Sequence, residues 1–168
     1  MKVLNTVKKY LVFGVGCVAL INVGLAATTL SKCNEAGLSE KQQSQIKLFV
    51  QQARALVLTK GIQNASKELM SPKFIHDDLY IFVIDHNQYS LANGGRADFV
   101  GKNLKSIKDA RESAQKIIDS AKQGGGWVNY IWKSPKTHHL ECKTSWVSPL
   151  LKDPKSELTY TIGAGIEH

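Results

Sequence analysis

The chain has 168 residues, enough for one domain with a sizeable core, and a formal net charge of +8 from 22 basic and 14 acidic side chains. Its first 26 residues hold three lysines and no acid, so the remainder carries +5, spread as single basic residues among acids. That scatter excludes a nucleic-acid footprint, which needs basic side chains clustered on one face; it leaves ordinary solubility, or a mild preference for anionic small molecules or an acidic wall polymer.

The opening MKVLNTVKKYLVFGVGCVALINVGLAA sets Lys2, Lys8 and Lys9 before an apolar run from Tyr10 and closes on small residues, the order of a secretory signal. Removal after Ala26 predicts a single domain, 27–168, in the periplasm or secreted. The alternative is an uncleaved N-terminal membrane anchor, since Tyr10 to Ala27 reaches the lower limit of about 17–20 residues for a bilayer span, although Gly14, Gly16, Asn22 and Gly24 weaken it. With Cys17 removed, Cys33 and Cys142 remain. An oxidising compartment permits them a disulfide, and two independent thiols stay equally open, because spacing says nothing of their distance.

LSEKQQSQIKLFVQQARALVLTKG predicts one long helix that starts at the capping pair Ser39 and Gln42 and stops at Gly61. Ile46, Phe49, Val50, Ala53, Leu56 and Val57 recur at three- and four-residue spacing, so one face must bury. NASKELMS reads as a short second helix ended by Pro72. DLYIFVIDHN then switches to period two with both faces apolar, which predicts a central strand covered on each side. After a tight turn at His86 to Gln88, QYSLANGG supplies its partner strand. KDARESAQKIIDSAKQGGG predicts another amphipathic helix, opened by Asp109. Three extended runs follow, Trp127 to Trp132, Leu140 to Ser148 and Leu158 to Glu167, joined by turns at Pro135 and Pro154. The short turns make neighbouring strands antiparallel, giving an α+β fold: one five-stranded antiparallel sheet with the long N-terminal helix packed on one face. Gly163 and Gly165 leave one face of the last strand bare, so the helix or a ligand must approach it closely.

GGGWVNYIWKSPKTHHLECKTSW gathers all three tryptophans, Trp127, Trp132 and Trp146, with Tyr130 and Lys143. Strand alternation puts Val128, Tyr130 and Trp132 on one side, and on the next strand Lys143, Ser145 and Val147 on one side. An ammonium flanked by rings is a workable carboxylate receptor, because a charge-assisted hydrogen bond contributes about 1.5–3 kcal/mol where aromatic surfaces exclude water. The receptor reading predicts that Lys143→Ala abolishes carboxylate binding while leaving the melting temperature of the unliganded protein nearly unchanged; the bland alternative is a small aromatic core with the lysine reaching outward.

Taken in order, DLYIFVIDHN, FVGKNL, GGGWVNYIWKSP, ECKTSWV and YTIGAGI resemble the single Cache domain family, extracytoplasmic PAS-like sensor modules of bacterial chemoreceptors and sensor kinases, over roughly Ser39 to Ile166. The resemblance implies a pocket on the sheet face away from the long helix, roofed by the connection between the second and third strands, for small organic acids or related metabolites. It implies ligand-binding roles for Trp127, Tyr130, Trp132, Lys143, Ser145 and Trp146, and for Asp109 in the roof. Trp146 stands where relatives more often carry tyrosine, and Asn93-Gly94 where they often carry histidine–proline. No cofactor is implied. No output domain follows in this sequence, so the expectation is a free-standing exported sensor of a small carboxylate that serves chemotaxis or signal transduction by working with a membrane-bound receptor or kinase, with pairing through the long helix.

Two other classes compete. An envelope interaction module would keep the fold without a small ligand. An enzyme would have to use Asp77, Asp78, Asp85, His86 or the His138-His139 turn beside Glu141, but none of these spacings matches a zinc pattern, and the sequence has no Gly-rich phosphate loop or nucleophile elbow. The expectation is therefore a protein without catalytic residues or a catalytic metal.

Overall fold

A computed structural model of the chain describes Cys33 and residues 37–168. The expected signal peptide and its anchor alternative lie outside the described residues. Helix α1 (Glu40–Lys60) begins at Ser39, whose hydroxyl accepts from the Gln42 N–H while the Gln42 side chain accepts from the Ser39 N–H, so two backbone donors without a helical partner are satisfied reciprocally. It ends at Gly61, whose φ of 74° lets the chain turn directly into α2 (Ile62–Leu69). The first N–H of α2 donates to Asp153 Oδ2 at 2.7 Å, and the Tyr160 hydroxyl donates to the same oxygen at 2.9 Å. Burial pushes the Asp153 carboxyl up, but these donors and the Lys155 N–H outweigh it and hold its pKa below the usual value.

The strands follow as β1 (Ile75–His76), β2 (Leu79–Asp85) and β3 (Ser90–Asn93), then helix α3 (Arg111–Lys122), β4 (Gly126–Lys133), β5 (Leu140–Val147), β6 (Leu151–Lys152) and β7 (Thr159–Glu167). All pairings are antiparallel, and the spatial order is β3-β2-β7-β5-β4. The five-stranded frame is thus the one expected. The two-residue strands β1 and β6 extend it to seven, pairing with β2 and β7 respectively. Helix α3 starts at Arg111 with Ala110 before it and no side-chain cap, so Asp109 does not open it.

Both faces of the sheet are covered, which is why β2 is apolar on each side. Ile81 and Val83 join Ile46, Phe49, Val50, Ala53 and Val57 of α1 in one core; Phe82 and Ile84 join Ala114, Ile117 and Ile118 of α3 in the other. Each fully buried side chain of this size contributes about 1.5–3 kcal/mol, so the two layers fix the strand register firmly. The glycines of β7 are not open to a ligand: a Cβ at Gly163 would collide with the Phe82 ring, and one at Gly165 with Ser145. Cys33 and Cys142 form a disulfide with a Cα–Cα distance of 5.4 Å, joining the segment before α1 to β5 across a separation of 109 residues.

Candidate functional site

The alternation of β4 and β5 divides the aromatic cluster between the two faces of the sheet. Tyr130 and Trp132 point toward α3 with Lys143 and Ser145, whereas Trp127 and Trp146 pack on the α1 side. There the two indoles meet edge to face at 5.4 Å between centroids, and Lys47 Nζ of α1 lies 4.6 Å from the Trp146 ring. The reason is the period of two itself: Trp127 and Tyr130 are three apart, so they cannot share a strand face.

Between the sheet and α3 lies a largely enclosed cavity of about 10 Å³. Tyr80, Phe82, Tyr130 and Trp132 form its sheet wall, Leu104, Ser113 and Ile117 its roof, and Asn93 sits at one side. As it stands it is narrow, holding little more than a water. Its polar groups are few and buried. Tyr130 and Ser145 share a hydrogen bond of 2.8 Å between their oxygens. Trp132 Nε1 is buried and makes no hydrogen bond of normal geometry, although it lies close enough to the Tyr80 hydroxyl to pull slightly against the rise of that phenol's pKa. Burial raises the pKa of the Tyr80 and Tyr130 phenols, so both stay protonated donors well above neutral pH.

Lys143 is 1 % exposed and does not reach outward. Its ammonium stands 3.6 Å from the centroid of the Tyr80 ring and donates to the Asp78 carbonyl and to Glu167 Oε1, each at 3.3 Å. The Glu167 side chain is 4 % exposed and also accepts from the Tyr80 hydroxyl at 3.4 Å. Burial pushes the Lys143 pKa down to about 8, with Glu167 pulling against that fall and Asp78 adding to its pull. The expected solitary cation is therefore half of a buried ion pair, set against Tyr80 and not on the cavity wall itself.

Of the sequence candidates, the fold brings together Tyr130, Trp132, Lys143 and Ser145. It sets Trp127 and Trp146 on the other face and leaves Asp109 exposed in the connection before α3, where its charge acts on Arg96. Four residues of the site escaped sequence reasoning: Tyr80, Asn93, Ser113 and Glu167. Two of them carried a signal. Tyr80 shares a strand face with Phe82 and Ile84 yet has a hydroxyl, and Glu167 continues the Gly163, Gly165 alternation onto the cavity side.

The groups considered for catalysis have structural partners or stand in water. Asp85 Oδ1 accepts from the Asn87 and Tyr89 N–H groups and so ties the turn between β2 and β3. His138 and His139 are exposed, and among the described residues no three His, Cys, Asp or Glu side chains gather as a metal site.

A sheet covered by a long helix on one side, with a small roofed cavity on the other, defines an α+β domain of PAS-like layout. The Cache domain family profile matches residues 36–167, and the chain belongs to that family. Cache domains are sensor domains and not enzymes as a class. Among solved structures, a methyl-accepting chemotaxis protein from Vibrio parahaemolyticus RIMD 2210633 superposes with a TM-score of 0.61 at 19 % identity, covering 76 % of this chain and 89 % of that one. A periplasmic sensor domain of a chemotaxis protein gives a TM-score of 0.62 at 19 % identity, covering 79 % and 99 %. A Cache chemosensory domain described for carboxylic acid recognition gives 0.57 at 20 % identity, covering 76 % and 93 %. At these identities the likeness is one of fold. Among curated proteins none matches the sequence.

Proposed function

We propose that this chain is an exported Cache domain that binds a small organic acid in the cavity under α3, for extracytoplasmic sensing and signal transduction. Residues 1–26 act as its signal peptide, and a membrane-bound receptor or kinase reads its state, with a second copy pairing along α1. The observation that carries the reading is Trp132 Nε1, buried without a well-formed hydrogen bond beside a cavity walled by Tyr80 and Tyr130, with a lysine ammonium against the Tyr80 ring. A carboxylate would give that indole a well-aligned acceptor and would suit the phenol donors. The Cache relative described for carboxylic acid recognition supports the same class of ligand.

A ligand of five or six heavy atoms gains at most about 1.5 kcal/mol per atom, so about micromolar affinity is the ceiling and screening must reach millimolar concentrations. The test is a thermal-shift screen of small mono- and dicarboxylates on the purified protein, followed by calorimetry on wild type and Trp132→Phe. Stabilisation by at least one acid, weakened several-fold in the variant, is expected. A panel without any stabilising acid overturns the reading. It would favour an interaction module instead, for which the exposed Leu48 and Leu58 of α1 are the natural contact residues.

A further inference from the structure

Among the described residues, Lys143–Glu167 is the one ion pair with both side chains buried. At the surface, Lys60–Glu68 closes to 2.6 Å and Lys116–Glu112 to 2.9 Å, while the loose Lys136–Asp78 pair stands at 3.7 Å. The buried pair, where water does not compete and a short contact is worth most, stands at 3.3 Å, and the ammonium's other hydrogen bond, to the Asp78 carbonyl, is equally long. Charge-assisted contacts of this type settle at about 2.7–2.9 Å when geometry allows. Glu167 itself is held by that contact and by the Tyr80 hydroxyl at 3.4 Å. It is the last residue of β7, and the backbone at this level is fixed separately by the His168 N–H donating to the Cys142 carbonyl at 2.9 Å. The side chain can therefore swing away while its strand stays paired.

We propose that Glu167 is a resident occupant of the anion subsite at Lys143, and that a carboxylate ligand binds by taking over the ammonium and expelling the Glu167 side chain to solvent. The proposal rests on the carboxylate reading given above. In the empty protein Glu167 keeps Lys143 charged in a place where a lone ammonium would be too poorly solvated to persist. In the bound protein the incoming carboxylate inherits that duty, and the site keeps the same net charge. Three consequences follow from this exchange. A neutral amide of the same shape cannot replace Glu167, because it would leave the ammonium without a counter-charge, so the device selects acids against amides. Room for the ligand's carboxylate comes from the departing side chain, beside Tyr80, the cavity-wall residue that both Lys143 and Glu167 contact. The arrival of ligand is also reported as a carboxylate emerging at the end of β7.

The test uses propionate and propionamide on the wild type and on Glu167→Gln, by calorimetry at pH 6, on the acid side of Lys143. The carboxyl carbon of Glu167 is followed by NMR in wild type, so one arm depends on no variant. Propionate is expected to bind Glu167→Gln at least ten-fold more tightly than wild type, while propionamide binds neither. The Glu167 carboxyl resonance should shift along the propionate titration with the same midpoint as the heat. Propionate binding to wild type with that resonance unmoved, or equal or weaker binding to the variant, overturns the exchange and leaves the carboxylate reading standing. Absence of propionate binding to both proteins overturns both.

Discussion

Replacing Lys143 by methionine removes one charge from a pair whose side chains are 1 % and 4 % exposed. The methionine fills a similar volume, so the loss is electrostatic: Glu167 keeps only the long contact from the Tyr80 hydroxyl. Removing one partner of a buried pair costs about 3–5 kcal/mol, because the remaining charge must be carried without a counter-ion or neutralised. At about 3 °C per kcal/mol for a domain of this size, Tm falls by about 10–15 °C. The double variant Lys143→Met, Glu167→Leu removes both charges, and most of the loss should return, since apolar replacement of a buried pair is often neutral. Urea unfolding of wild type, the two single variants and the double at pH 7 gives the cycle. A loss below about 1 kcal/mol in Lys143→Met would mean that the ammonium reaches water in solution and that the buried pair is not formed. The expectation drawn from the sequence, an unliganded melting temperature unchanged by Lys143→Ala, is the opposite result, and the burial of Lys143 reverses it.

Reducing the Cys33–Cys142 disulfide opens a loop of 109 residues, for which chain entropy gives a loss of about 4–5 kcal/mol; melting with and without reductant measures it, and an unchanged Tm refutes the link's role. Burial makes the Tyr80 and Tyr130 phenols keep their protons longer than unfolded ones, so stability falls as pH rises above about 10, the ordinary tyrosine pKa. Urea midpoints at about pH 9 and 11 should show that fall. Gly163→Ala drives a methyl into the Phe82 ring and should cost about 1–3 kcal/mol by thermal melting, with Phe82→Leu in the same chain recovering part of it.

The frame was legible because its signals are local. The Ser39–Gln42 capping pair, the period switch at Leu79 and the proline turns each act within a few residues, and the structure places elements at all of them. Strand alternation also separated Tyr130 from Trp127 correctly in the sequence. What obscured the site was grouping Trp127 and Trp146 with it on the family resemblance, although alternation already put them on other sides of their strands. Glu167 could not be read as the partner of Lys143 from either strand alone. It requires the register between β5 and β7, which is set by Phe82 and Ser145 closing over Gly163 and Gly165. Asp109 was misplaced for a simpler reason: an acidic residue before a helical pattern is a common cap, and here the helix begins two residues later.

The division of the three indoles between the two faces gives the protein two separate optical reporters. Emission from Trp132 senses what enters beneath α3, while that from Trp127 and Trp146, with Lys47 laid over them, senses how α1 rides on the sheet. Replacing either set with phenylalanine isolates the other, so occupancy of the chamber and displacement of the long helix can be timed independently in one mixing experiment.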